Sequence, residues 1–186
     1  MASSKPDTAG IASSTTGKSP DFVISRVFDA PRDLVWRAFT DSEHLKHWWG
    51  PKGFTVMFSK MDLRPGGIYH YGLEAPNGAE MWGKFIFREI VEKERMEFII
   101  SFSDKEGGTS RHPLHMQWPL EMLSSFTFED EPGGKTRVTV RSAAWNASET
   151  ERKTFDDGHG SMRMGWGGTM DQLAAYLANE QKRQRT

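Results

Sequence analysis

Residues 160–177 read GSMRMGWGGTMDQLAAYL. Met162, Trp166, Met170, Leu173 and Leu177 recur at steps of three or four, the spacing that aligns side chains on one face of a helix. The same stretch resists that reading. Gly165, Gly167 and Gly168 each cost roughly 1 kcal/mol relative to alanine inside a helix, and Thr169 with Gln172 has the spacing of a capping box. A helix starting at Thr169 would leave the Met-Trp-Met stripe without a period, so the spacing predicts one long helix through the glycines. Its glycines then suit close approach of the helix backbone to a sheet. Ahead of it, Ser148 and Glu151 predict a shorter capped helix, broken at DDGHG (156–160).

A helix with one apolar stripe needs an apolar surface to cover, and the chain before it is mostly strands. FVISRVF (22–28) alternates and is rich in β-formers. Phe54–Leu63 runs into RPGG, where Pro65-Gly66 suits the central pair of a type II turn, and IYHYGL (68–73) continues beyond it. Asn77-Gly78 reads as a type I′ hairpin turn leading into AEMWGKFIFREI. Arg95–Phe102, Leu120–Asp130 and Lys135–Trp145 supply three more strands, the last two joined across EPGGK; a long polar loop at Ser103–Pro113 interrupts the series. The expectation is an α+β domain with a curved antiparallel sheet of about seven strands gripping the long C-terminal helix.

Two short helices are predicted after the first strand. In APRDLVWRAFT, proline opens the helix, Asp33 lies in its first turn, and Val35, Ala38 and Phe39 share a face. TDSEHLKHWW restarts with Thr40 and Glu43 in capping-box spacing and ends near Gly50-Pro51, so Trp48 and Trp49 sit at a helix exit. Neighbouring side chains diverge, which predicts one tryptophan in the core and the other at the rim of a cavity.

Composition bounds the function. With 186 residues and a net charge of -1, the chain suits one domain and has no overall attraction to nucleic acid or anionic membrane. Cysteine is absent, so disulfides and thiolate metal sites are excluded; no stretch is apolar enough for membrane insertion, and a cytoplasmic location is expected. Residues 1–20 are polar and Ser/Thr-rich and read as a flexible tail. A single domain is expected over 21–182, followed by a basic end at 183–186. An exposed edge strand would permit a homodimer; otherwise a monomer is expected.

A strongly twisted sheet curves away from a straight helix, and space left unfilled between them is a cavity. Aromatic and methionine side chains on the bordering elements are the candidate lining. From the helix exit and the hairpin strands these are Trp48, Trp49, Tyr69, Tyr71, Trp82 and Phe85. From the later strands they are Trp118, Phe126, Phe128 and Trp145, and from the long helix Met162, Trp166 and Met170. His70, Arg64 and Glu80 are candidate polar contacts, with His115 among further polar residues near the lining; His70 is the candidate acid or base if the cavity is catalytic. Such a lining, with ten Met and seven Trp in the chain, predicts a small hydrophobic or aromatic ligand.

RVFDAPRDLVWRAFTD, WWGP, LRPGG, the Trp118-Pro119 pair, GGKTRVTV and GWGGTMDQLAAYL occur in an order and spacing that resembles the family related to activators of the heat-shock-protein-90 ATPase, within the helix-grip superfamily. The resemblance spans about Phe22 to Leu177. It implies a curved antiparallel sheet gripping a long helix around a cavity, and two alternatives to simple ligand binding: a co-chaperone partnered with that chaperone, or a cyclase- or hydratase-like enzyme. Eukaryotic activators carry a separate N-terminal domain that makes the main chaperone contact, where this sequence has the polar segment.

Other chemistries find little support. His112 and His115 in HPLH are three apart across a proline, without a third ligand, so no metal site and no cofactor is expected. The glycine-rich turns lack the strand-loop-helix context of a phosphate loop, and Ser161 does not fit G-x-S-x-G, so no catalytic nucleophile is assigned.

Overall fold

The computed structural model describes residues 21–185; the predicted tail at 1–20 and Thr186 lie outside the described residues. The order is β1 (Phe22–Phe28), α1 (Arg32–Thr40), α2 (Ser42–Leu45), β2 (Thr55–Met61), β3 (Ile68–Glu74), β4 (Glu80–Val91), β5 (Arg95–Ser103), β6 (Thr109–Ser110), β7 (Glu121–Glu131), β8 (Lys135–Trp145), α3 (Glu149–Asp157) and α4 (His159–Gln184). Seven strands form one antiparallel path, β1-β8-β7-β5-β4-β3-β2, and the two-residue β6 pairs with β5 inside the segment expected to be loop. Bulges between Val56 and Phe58 and between Phe87 and Glu89 interrupt the register. Such interruptions bend a strand and increase its twist.

Alternation decides which side chains face the helices. Tyr69, Tyr71, Phe85, Phe87, Phe98, Phe126, Phe128, Val138 and Val140 are buried on the inner face. Phe39 of α1 meets them from the other layer, with ring centroids 5.0 Å from Phe126, 5.1 Å from Phe128 and 4.7 Å from Trp48. Full burial of one such ring contributes about 1.5–3 kcal/mol. α1 and the C-terminal half of α4, through Met170, Leu173 and Leu177, complete this core.

The turn chemistry differs from expectation at three places. Asp41, not Thr40, caps α2, accepting from the Glu43 N–H (2.8 Å), because Thr40 still belongs to α1 and its hydroxyl donates to Trp36 O (2.8 Å). α2 ends at Leu45, and turns rather than helix carry the chain to Trp48. The β3–β4 hairpin is not type I′. Gly78 N–H donates to Ala75 O (2.8 Å) with Gly78 at φ +82°, and Asn77 is not among the positive-φ residues. Pro76 favours the second position of an ordinary type I turn, which shifts the turn one residue toward the N-terminus and puts only Gly78 in the left-handed region. By contrast, Arg64–Gly67 closes as expected, with Gly67 N–H donating to Arg64 O (2.8 Å) and Gly66 at φ +80°.

α4 is the long helix, and Ser148 and Glu151 form the capping box of α3. The α4 glycines do not bring its backbone against the sheet: a Cβ built at Gly165, Gly167 or Gly168 meets nothing within 4 Å. Gly165 instead borders open space between helix and sheet. Thr169 and Gln172 are also redirected from capping, since both side chains donate to Gly50 O (3.0 and 2.8 Å).

Candidate functional site

The two halves of α4 behave differently. Beyond Thr169 the helix packs tightly on the sheet, whereas its first three turns stand off from it. The gap is a cavity of about 640 Å³. Tyr71, Leu73, Met81, Ile100, Phe102 and Met122 form its sheet side, and Ser161, Met162, Gly165, Trp166 and Thr169 its helix side. Trp49, Gly50 and Pro51 close one end; His112, His115, Trp118 and the α3 residues Thr154, Asp157 and Gly158 surround the other.

Each wall has a local cause. Trp48 and Trp49 do diverge: Trp48, 2 % exposed, enters the core and donates its indole N–H to Ala38 O (3.0 Å), satisfying a carbonyl near the end of α1. Trp49, 8 % exposed, turns to the cavity, edge-on to Tyr71 (5.6 Å), Phe85 (5.4 Å) and Trp166 (5.8 Å). Among the described residues its buried Nε1–H lacks a partner of hydrogen-bonding geometry, although the Tyr71 hydroxyl is near enough to be influenced by it. Burial pushes the Tyr71 phenol far above its ordinary range, so it stays protonated at any physiological pH.

The other end is assembled from a loop. Arg111 donates to Glu151 Oε1 (2.6 Å), tying the segment after β6 to the α3 cap; this bond above all holds the Glu151 carboxyl below its usual range. Trp118 rests on Phe155 (5.5 Å). His112 and His115 come together with ring centroids 4.8 Å apart, and His112 Nδ1 accepts from the Leu114 N–H (3.0 Å). Burial, then the neighbouring His115, lowers the His112 pKa. Among the described residues no cluster of three or more His, Cys, Asp or Glu side chains converges to hold a metal ion.

Of the residues singled out from sequence, Trp49, Tyr71, Trp118, Met162 and Trp166 lie in the cavity wall, as does His115. Trp48, Tyr69, Phe85, Phe126, Phe128 and Met170 are core residues and do not line it. Trp82 and His70 are on the opposite face of the sheet, where they pack with Phe58, and His70 Nε2 pairs with Asp104 O (3.1 Å). An acid-base role for His70 within the cavity is therefore ruled out by its orientation. Glu80 bonds the Trp82 indole and Lys105, Arg64 pairs with Asp62 beside the turn, and Trp145 lies under the Arg88 guanidinium. None of Glu80, Arg64 and Trp145 reaches the cavity. Sequence reasoning missed Met81, Ile100, Phe102, Met122, Ser161 and Gly165, whose alternation or helical phase matches that of core residues, and it set His112 aside.

The model of the family of Activator of Hsp90 ATPase homolog 1-like proteins matches residues 29–178. No curated protein matches the chain. Among solved structures, a protein from Nitrosomonas europaea is 25% identical with a TM-score of 0.68, covering 87% of this chain and 96% of that one. An Arthrobacter aurescens protein is 24% identical with a TM-score of 0.71, covering 87% of each. The AHSA1 protein of Silicibacter pomeroyi is 20% identical with a TM-score of 0.65, covering 87% of this chain and 99% of its own.

Proposed function

The chain belongs to the family of Activator of Hsp90 ATPase homolog 1-like proteins, and from that premise we propose that it binds a small, predominantly apolar or aromatic molecule between its sheet and the first turns of α4. One observation carries the reading: about 640 Å³ of space, walled by Trp, Tyr, Phe, Met and Ile side chains, persists beside a tightly packed core. That volume lies within the range of small-molecule sites. The sequence also maintains it. Gly165 and Ser161 occupy helix positions where larger side chains would fill the gap, and Gly165 does so at a cost in helix propensity.

N-phenylnaphthylamine, an uncharged dye that brightens in apolar surroundings, tests the proposal. Wild-type protein is expected to bind one equivalent and to melt at a higher temperature; a hundredfold excess of ligand over its Kd adds about 2.7 kcal/mol to native stability. Gly165→Leu should weaken binding at least tenfold without lowering unliganded stability, because leucine projects into open space and favours the helix. Dye that neither brightens nor raises the melting temperature, or that binds Gly165→Leu unchanged, would overturn the proposal. Native mass spectrometry of gently purified protein provides an independent check for a retained molecule.

A further inference from the structure

The chemistry at the inner end of this cavity narrows the ligand class, an inference that rests on the binding reading above. Tyr71 leans from β3 across β4, and a Cβ on Gly83 would lie 2.4 Å from its hydroxyl oxygen. Residue 83 must be bare for the phenol head to lie there, on the sheet side of the cavity near Ile100 and Phe102, whose strand pairs with this part of β4. No group among the described residues accepts a hydrogen bond from the Tyr71 hydroxyl. Among the described residues, the buried Trp49 N–H beside it meets only the Tyr71 oxygen, and without hydrogen-bonding geometry. A phenol O–H without an acceptor, beside an indole N–H that meets the phenol oxygen only in poor geometry, is an expensive arrangement at this mostly apolar end of the cavity unless something else supplies the acceptor.

Charge then separates the candidate acceptors. Among the described residues the cavity wall contains no lysine or arginine, its single carboxylate, Asp157, is engaged by Lys153 (2.6 Å), and its two histidines, His112 and His115, stand at the opposite end from Trp49. A carboxylate or phosphate pushed against Tyr71 would be a buried anion without a counter-ion, which costs several kcal/mol even when hydrogen-bonded. A neutral oxygen incurs no such penalty. The phenol cannot serve as the base that would change this, since burial keeps its proton in place. We propose that the site selects uncharged, largely aromatic molecules carrying a carbonyl-type oxygen, which accepts from Tyr71 Oη–H with Trp49 Nε1–H as the adjoining donor.

Benzophenone and its methylene analogue, in which =CH2 replaces =O, have nearly the same shape and differ at the one atom concerned. Titration of both into wild type, Tyr71→Phe and Trp49→Phe gives affinity ratios in which the difference in water solubility cancels. Tyr71→Phe should weaken benzophenone by about tenfold while leaving the methylene analogue within about twofold. Trp49→Phe should shift the ratio in the same direction. Equal changes for the two ligands would overturn the acceptor assignment while leaving the cavity a binding site; absence of binding by both to wild type would overturn the binding reading as well. Wild-type protein alone gives a second measurement, because irradiated benzophenone inserts its carbonyl carbon into nearby C–H bonds. Adducts at Met81, Ile100 or Tyr71 support the orientation, and adducts confined to Trp118 or Met162 overturn it.

Discussion

A Cβ on Gly158 would sit 2.7 Å from Cζ3 of Trp118, so the indole that walls the outer end of the cavity rests on bare backbone between α3 and α4. Gly158 has φ −82° and ψ −6°, which any residue adopts. The requirement for glycine is therefore steric. Gly158→Ala should lower stability by about 1–3 kcal/mol through overpacking, and displacement of Trp118 should weaken N-phenylnaphthylamine binding. Gly160, with nothing within 4 Å of a built Cβ, provides the control: Gly160→Ala should leave both properties intact or raise stability slightly. Urea melts of the two variants decide the matter, and equal behaviour would refute the contact.

The paired tryptophans give a sharper contrast. Trp48 donates to Ala38 O (3.0 Å) in the core, whereas the Trp49 N–H has no partner of good geometry. Trp48→Phe removes a hydrogen bond and strands a buried carbonyl; Trp49→Phe removes neither. The first substitution should cost at least ~1 kcal/mol more than the second in denaturant melts. A larger loss from Trp49→Phe would reverse the assignment of core and cavity to these two residues.

Much of this architecture was legible because local periods agree with the global fold. β1 and β8 begin and end where alternation predicts, and α4 follows its Met-Trp-Met-Leu-Leu phase through three glycines. The cavity was legible only as a consequence of twist. Which side chains face it depends on where α4 parts from the sheet, and no period records that: Phe126 and Tyr71 alternate alike and both belong to the core, yet only Tyr71 reaches the cavity wall. His112 and His115 fail a test of regular ligand spacing because of the proline between them, but an irregular loop needs no helical spacing to bring two rings within 4.8 Å.

That histidine pair makes stability depend on pH. His112 is held below its ordinary pKa of 6.5, first by burial and then by His115, and its Nδ1 accepts from the Leu114 N–H. The unfolded chain then binds the proton more readily than the native one between the lowered value and 6.5. Native stability should rise with pH through that window, and on acidification the loss should level off once the native His112 is protonated as well. His112→Asn retains an acceptor near the Nδ1 position without a titrating group, so its melting temperature should fall less than that of wild type between neutral and mildly acidic pH. Parallel profiles would assign the acid sensitivity to other groups.

The WWGP segment is tied to α4 through two carbonyls, Trp48 O at 3.4 Å from Gln172 Nε2 and, more closely, Gly50 O. Gly50 O accepts from Thr169 Oγ1 (3.0 Å) and from Gln172 Nε2 (2.8 Å), using both of its lone pairs. Gly50 itself is at φ +105°, a conformation that L side chains rarely adopt, so glycine is what lets the segment aim this carbonyl at α4. Thr169→Val and Gln172→Leu should each cost about 0.5–1.5 kcal/mol, because the remaining donor still satisfies the oxygen. The double variant should lose more than the sum by at least ~0.5 kcal/mol, since only then is the carbonyl stranded. Trp49 immediately precedes Gly50 and lines the cavity, so the double variant should also weaken dye binding more than either single change. A double-mutant cycle by urea unfolding measures the coupling, and strict additivity would show that one donor alone satisfies the carbonyl while the other contributes independently.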